Sequence, residues 1–381
     1  MSRIDELIQD LCPSGVEYEA IAELITRSEK VHWDDLDQTD EFRYIDLSTV
    51  DRVTHSINGT ETITRENAPS RAQQVVREGD VLFGTTRPML KRYCIVPADY
   101  DGQVASTGFC VLRANTDRIL TNFLFHLLGT ATFYEYVQTN ERGASYPAIP
   151  DNVVKKFRIP VPPLEVQREI VRVLDKFTQL EAELEAELEA RRAQYEHYRH
   201  EVLSSSNGAA LTSVGEIVHG VSSGRNKSRS EGGAYPVYGS TGQIGTTNAP
   251  AYSGLALLIA RVGANAGRVN IVDGEYDVSD NTLVVTPAEA WDVYYAYHQL
   301  TNMRLNQYAV GGGQPLVTGK LIKALKVALP DVDEQRRIAG VLDKFDALVN
   351  DISIGLPAEL AARRKQYDHY RDRLLTFKEA A

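Results

Sequence analysis

The sequence is poor in the residues that build metal sites and disulfide frameworks. Its three cysteines, Cys12, Cys94 and Cys110, share no metal-ligand spacing and form no even framework. That excludes zinc ribbons and disulfide-stapled modules, and a reducing cytoplasm is the expected location. No apolar run reaches the roughly 18 residues that a membrane-spanning helix needs. The opening stretch MSRIDELIQDLCPSG is acidic and amphipathic, whereas a secretion signal is basic and then apolar. There is no GxxxxGK[ST] phosphate loop, since Thr318-Gly319-Lys320 lacks the upstream glycine spacing. Positive charge is also scarce, with 41 basic against 52 acidic residues and a net charge of −11. A strong nucleic-acid binder is expected to be cationic, so the sum argues against a phosphate-rich partner.

What is present is ordinary globular material: 43% apolar and 24% charged residues with a mean hydropathy of −0.29. At 381 residues and 42.3 kDa, two or three domains are expected. The organisation comes from an internal repeat. Residues 162–177, PPLEVQREIVRVLDKF, align with residues 330–345, PDVDEQRRIAGVLDKF, at an offset of 168, and VLDKF is identical in both. The offset extends upstream, where Pro147 matches Pro315, Ile149 matches Val317, Lys155 matches Lys323 and Arg158 matches Lys326. Downstream, ARRAQYEHYR (190–199) aligns with ARRKQYDHYR (362–371) at an offset of 172, so the second copy holds four extra residues between its blocks.

Four residues make about one helical turn, so a helix face survives the insertion. Val166, Ile170, Val173, Phe177, Leu180 and Leu184 step by four and three, the seam of a coiled coil. The seam slips at Leu188, a stutter, and resumes at Tyr195, Tyr198 and Val202. In the second copy Ile338, Val341, Phe345 and Leu348 hold the seam, then Tyr367, Tyr370 and Leu374. Between them Gly355 and Pro357 should kink or break the helix. Pro162, Pro163 and Pro330 mark helix starts, and Asp331 with Glu334 reads as a capping box. The first helix, about 40 residues, would be a rod of roughly 60 Å. Its narrow apolar seam calls for a partner. The expected partner is its own repeat, packed antiparallel; the other arrangement folds each helix onto its own domain.

Residues 1–161 and 204–329 differ from these blocks. Runs such as FRYIDLSTV, GDVLFGT, STGFCVLRA, YPVYGSTGQIG and GLALLIARVG read as strands between turns. AIAELI (20–25) is echoed by SVGEIV (213–218), and GASYPAIP (143–150) by GGGQPLVT (311–318). The expected fold is therefore α+β: domain 1 over 1–161, helix 1 over 162–203, domain 2 over 204–329 and helix 2 over 330–381, with the two domains homologous and the helices paired as an antiparallel coiled coil.

In this order, and occurring twice, these motifs give a chain that resembles the DNA-specificity subunits of type I restriction–modification systems over essentially its whole length. LEVQREIVRVLDKF, VDEQRRIAGVLDKF, the RRxQYxHYR blocks and GLPAELAARRKQYDHYRDRLL carry the resemblance, supported by YPVYGSTGQIG, EGDVLFGTTR and the glycines before Pro315. The resemblance implies two target-recognition domains, each reading one half of a split double-stranded DNA site. It implies helices that space the domains and dock two methyltransferase subunits, which restriction (helicase-nuclease) subunits join. It implies no chemistry in this chain: S-adenosylmethionine belongs to the methyltransferase, ATP and Mg2+ to the restriction subunit. The residues agree with that. The lone Pro-Pro pair is followed by Leu164, so the Asn-Pro-Pro-Tyr-like loop of adenine methyltransferases is missing. None of the twelve lysines has Asp or Glu two residues before it, as a common restriction-nuclease strand requires. A non-enzymatic coiled-coil scaffold with β-rich end domains is the competing reading.

Candidate DNA-contacting residues are polar and basic groups on expected loops. In domain 1 they are Arg87, Lys91 and Arg92 after GDVLFGTT, with Arg142, Ser145 and Tyr146 before Pro147. In domain 2 they are Arg225, Lys227 and Arg229, then Ser240 and Thr241, then Arg261, Asn265 and Arg268, and Gln314. An ordinary solvated surface role is the alternative for each. On the helices, Tyr195, His197 and Tyr198 and their repeats Tyr367, His369 and Tyr370 are candidate partner-docking residues, the alternative being that the tyrosines close the seam. His197 and His200 lack matching ligand partners and read as solvated or interface groups. The charge resolves by segment: −7 over 1–163, −4 over 164–203 and zero over both 204–331 and 332–381. The excess acid lies in the first half and partly on a helix, so local basic turns still offer a cationic face.

Overall fold

Within the run GDVLFGT the strand residues Val81–Gly84 carry no polar side chain, and all four are buried because the strand is covered on both sides. In the computed structural model, which describes residues 3–204, 209–226, 232–309 and 315–380, Val81–Gly84 lies inside a four-stranded sheet ordered Ile25–Thr26, Phe109–Ala114, Val81–Gly84, Tyr93–Ile95. Side chains alternate across a strand. Val81 and Phe83, with Cys110 and Leu112, therefore enter one apolar cluster alongside Phe123, Leu124, Phe133, Val166 and Ile170. Leu82, with Cys94, Phe109 and Val111, enters another together with Ile45, Val76 and Ala105. The second cluster leads to a five-stranded sheet ordered Glu29–Lys30, Ala72–Val75, Val104–Ser106, Phe42–Ile45, Glu61–Ile63. Its one parallel pairing sets Tyr44 opposite Val104. The three cysteines are free and buried. Burial pushes the Cys94 thiol up to about 12, so it behaves as a small apolar side chain.

The second domain repeats this plan. Ala256–Ala260, buried throughout, lies within a sheet ordered Val218–Ser223, Thr282–Pro287, Ala256–Ala260, Val269–Val272. A second sheet runs Gly242–Thr247, Tyr235–Gly239, Glu275–Val278, Tyr252–Ser253, again with one parallel pairing, Val237 opposite Asp277. In each domain a two-stranded ribbon joins the domain's start to its end: Tyr18–Ala20 with Arg158–Pro160, and Leu211–Ser213 with Lys326–Ala328. These equivalences make the α+β class and the homology of the two domains structural facts.

The helices follow the repeat. The long helix runs Leu164–Ser204. The second copy is broken into Val332–Asn350 and Leu356–Leu374. The break falls at the four-residue insertion, where Gly355 lies so close to the Ala347 and Leu348 carbonyls that a Cβ would clash. Pro357 sits in the first turn of the last helix, where its missing N–H costs nothing. Asp331 caps the Val332–Asn350 helix by accepting from the Glu334 amide at 3.0 Å. The Glu334 carboxylate pairs with Arg337 instead of closing the box.

The chain forms two compact units whose limits cut across the four expected segments. One comprises Met1–Leu184 with Leu360–Ala381, the other Glu185–Glu359. Each unit holds one α+β domain and two antiparallel helix segments. In the first unit, Phe177 of the long helix stacks on Tyr370 of the last helix, and one turn further on Glu181 accepts from Arg364 at 2.6 Å. In the second unit, Phe345 packs on Tyr195 and Tyr198, and Arg192 donates to the Val349 carbonyl at 3.2 Å. The helices are thus paired antiparallel and each also folds onto a domain, so the two arrangements weighed from sequence coexist. Leu180 departs from the expected seam and is 41% exposed, while Leu188, where the seam slips, is buried. Among the described residues, no helix is long and apolar enough to cross a membrane.

Candidate nucleic-acid interface and the joints that carry it

The candidate residues of domain 1 gather around one strand end. Thr86 and Ala148 form a β-bridge, Arg142 and Ala148 form a second, and the Arg87 amide donates to the Pro147 carbonyl at 2.7 Å. These bonds bring the loop after Val81–Gly84 against the loop before Pro147. Arg87, Arg142, Ser145 and Tyr146 are all exposed there. Arg87 (φ 49°) and Lys91 (φ 56°) flank the short turn Pro88–Leu90 in left-handed backbone, strained conformations for non-glycine residues. The Lys91 ammonium lies 4.7 Å over the Tyr134 ring. Arg92 is half-buried, and its Nε finds no partner. Gly143, at φ 102°, turns the same loop where a Cβ would meet the Tyr146 carbonyl oxygen at 3.0 Å.

Domain 2 presents the same seam. Val262 bridges Leu316, and the Val317 amide donates to the Arg261 carbonyl at 2.8 Å, as Ile149 does to Thr85 at 2.9 Å. Asn265 and Arg268 lie in the turn beside it, with Arg268 exposed. Arg261 is half-buried, and its Nη1 donates to Ser223 Oγ at 2.7 Å and to the Asp280 carbonyl at 3.0 Å, tying two strand ends together. Ser240 and Thr241 are the two-residue turn of the Tyr235–Gly239/Gly242–Thr247 hairpin. Lys227, Arg229 and Gln314 lie outside the described residues. Arg225 lines an open cleft of about 500 Å³ with Ser222, Ser223, Tyr252 and Asp277. Tyr252 stacks on Tyr276, and Asp277 accepts from Asn226. Tyr252 and Asp277 were invisible in the sequence, because nothing local marks two strand residues as sharing a cleft with a loop arginine.

The helix tyrosines require a correction. Tyr195 is 2% exposed, so it has no surface to offer a partner. Its hydroxyl faces His298 Nδ1 at 3.4 Å, and His298 Nε2 bonds Asp343 Oδ1 at 2.8 Å. Unit one holds the same chain: the Tyr367 hydroxyl to His126 Nδ1 at 2.8 Å and His126 Nε2 to Asp175 Oδ1 at 2.8 Å. Burial, partly offset by Asp343, holds the His298 pKa below its ordinary value. Tyr198 and Tyr370 pack on Phe345 and Phe177, with Tyr370 still 41% exposed. His197 and His369 point to solvent.

A second joint precedes each of these. Gln167 accepts from the Leu120 amide at 2.9 Å and donates to the Arg118 and Pro162 carbonyls at 2.9 and 2.8 Å. Gln335 accepts from the Asp292 amide at 2.8 Å and donates to the Ala290 and Pro330 carbonyls at 2.9 and 2.8 Å. Both glutamines are fully buried. The repeated QR…VLDKF block is therefore a domain-attachment element, its Gln and Asp eight residues apart on one helix face. The signal was in the sequence: His126 and His298 differ by 172, the offset already seen for the tyrosine blocks. Among the described residues, no group of three His, Cys, Asp or Glu is arranged to hold a metal.

Comparison with known proteins agrees with this geometry. Residues 26–190 and 209–362 match the family model described as type I restriction modification DNA specificity domain. The type I restriction enzyme EcoprrI specificity subunit of Escherichia coli is 36% identical over 298 residues, 72% of this chain and 73% of the relative. The EcoR124I/EcoR124II specificity subunit of Escherichia coli is 30% identical over 315 residues, 73% and 76% of the two chains. A solved chain from work on complex assembly and conformational transition of the type I R-M system superposes with a TM-score of 0.70 at 26% identity, covering 95% of this chain and 98% of that one.

Proposed function

The chain belongs to the type I restriction modification DNA specificity family, and from that membership we propose how it recognises DNA within a restriction–modification complex. Each domain reads one half of a bipartite site in double-stranded DNA. The observation that carries this reading is the duplicated joint: two domains hold their helices through the same Gln and Tyr–His–Asp bonds while their candidate surfaces differ in sequence. Equal mounts with unlike surfaces suit two unlike half-sites separated by an unread spacer.

The antiparallel helix segments set that spacing and offer docking faces to two methyltransferase subunits, with restriction subunits joining the assembly. On this reading the chain contributes no catalytic group. S-adenosylmethionine, ATP and Mg2+ act on the partner subunits. Base reading is assigned to the Arg87–Arg142–Tyr146 cluster in domain 1 and to the Arg225 cleft and Arg268 turn in domain 2. The test is co-expression with the cognate methyltransferase followed by single-molecule methylome sequencing. A split, asymmetric motif is the expected result. A continuous motif overturns the bipartite reading, and no motif at all favours a scaffolding role.

A further inference from the structure

We propose that the two Tyr–His–Asp chains are positioning devices that fix the angle of each recognition domain on its helix pair, and so hold the two half-sites in a single register. The proposal rests on the reading that each domain takes one half-site.

The geometry in unit one starts from Gln167. It ties the first turn of the long helix to the loop before the short helix Thr121–Leu127 through two hydrogen bonds, with the Leu120 amide and the Arg118 carbonyl, and holds the helix's own lead-in through a third, to the Pro162 carbonyl. One such point leaves a pivot. Asp175 lies eight residues further along the same helix, about 12 Å at 1.5 Å per residue. There it accepts from His126 and, at 2.9 Å, from Asn122, both on that short helix. Two fixed points on one rigid helix define an angle. The Tyr367 hydroxyl adds a third element, the last helix, at His126 Nδ1. Unit two repeats the Gln, His, Asp and Tyr parts with Gln335, His298, Asp343 and Tyr195.

With the imidazole neutral and Asp175 ionised, the chain has one donor order: His126 Nε2 donates to Asp175, and Nδ1 accepts from the tyrosine hydroxyl. At 1% exposure His126 has no water to substitute for either partner. Apolar packing alone is tolerant of small slips, because it has no direction. The directional hydrogen bonds of a buried imidazole are not. Close approach supports the same joint: a Cβ on Gly129 would meet the Tyr93 hydroxyl at 2.6 Å and the Arg371 side chain at 3.2 Å, and Arg371 lies over the Tyr367 ring.

The experiment compares methylomes of the co-expressed methyltransferase complex carrying wild-type chain, His126→Leu, Tyr367→Phe or Leu124→Ala. Leu124 is a buried neighbour on the same short helix and takes no part in the bonds. Wild type reports on the bipartite reading itself; if it gives no split motif, that reading fails and the positioning claim falls with it. Given a split motif, His126→Leu is expected to keep both half-site sequences and to raise methylation at sites whose spacer is one base pair longer or shorter by about tenfold. Tyr367→Phe, which removes one hydroxyl and keeps the ring, should do the same to a smaller degree. Leu124→Ala should lower total methylation at an unchanged spacer. The proposal is overturned if both His126→Leu and Tyr367→Phe keep the single wild-type spacer, or if Leu124→Ala broadens it equally.

Discussion

Arg87 lays its guanidinium 4.2 Å from the centre of the Tyr146 ring, and Tyr146 is 69% exposed. The pair is held in place from below by the Arg87 amide on the Pro147 carbonyl. A stacked guanidinium keeps its in-plane donors free, the geometry that reads a guanine edge or grips a phosphate. Arg87→Ala is expected to weaken binding of the assembled complex to its own site by about 1–3 kcal/mol. Tyr146→Phe, which preserves the ring face, should change it little. Fluorescence anisotropy with a labelled cognate duplex measures both, and equal losses would refute the stacking role.

Gln167 makes three hydrogen bonds in a dry joint, whereas Gln179, three turns along the same helix, makes one exposed bond to Glu183. Gln167→Leu strands one amide and two carbonyls and should destabilise the protein by about 3 kcal/mol. Gln179→Ala should stay within about 0.5 kcal/mol of wild type. Urea unfolding of the two variants checks the contrast.

His55 rests on the rings of Tyr93 and Phe125, and its Nδ1 has no partner. Burial, with help from Arg371 and Lys91, pushes its pKa down to about 4. Above pH 6.5 the ring is neutral folded or unfolded, so its contribution is constant. As pH falls below 6.5 the unfolded chain takes up a proton that the folded chain refuses until about 4, and stability is lost across that window. By pH 5 the loss should be about 2 kcal/mol. His55→Asn, tolerated at the left-handed φ of 54°, should remove that component. Urea midpoints at pH 7.5 and pH 5.0 test it: an unchanged pH dependence in the variant rules His55 out.

The isolated subunit carries its −11 with the excess acid in its first half. Its cationic groups at the candidate interface are few, so binding by the subunit alone should be weak and steeply salt-dependent, strengthening when partners add basic surface. Titrations at several salt concentrations, with and without the methyltransferase, give the slope; tight binding alone at physiological salt contradicts the expectation.

Periodicity made the helices legible, and the 168-residue offset made the domain duplication legible. A helix face is written every three or four residues, and a repeat can be found by self-comparison. What the repeat was for stayed hidden. Tyr195 and Tyr367 resembled exposed aromatic anchors until their hydroxyls were found on His298 and His126, more than 100 and 240 residues away in sequence. Arg261 likewise bonds Ser223 and Asp280, 38 and 19 residues away. Long-range polar pairing leaves no periodic trace, which is why composition and spacing found the scaffold and misassigned part of its surface.

The tract LEAELEAELEA, residues 180–190, holds the border between the two compact units, with Leu184 in one and Glu185 in the other. Its face is mostly solvent: Leu180 is 41% exposed, and only Leu188 is buried. Few contacts would be broken by lengthening the helix there. Four residues advance an α-helix by about 6 Å and rotate it by about 40° beyond a full turn, so the residues after the insertion nearly keep their original helical phase. Inserting a further Leu-Glu-Ala-Glu is therefore expected to leave both half-sites unchanged and to widen the DNA spacer by one or two base pairs, at about 3.4 Å each. An insertion of two residues instead rotates the helix beyond it by about 160° from its original phase and should abolish methylation. Methylome sequencing of both variants decides the matter, and an unchanged spacer after the four-residue insertion would show that this helix does not set the distance.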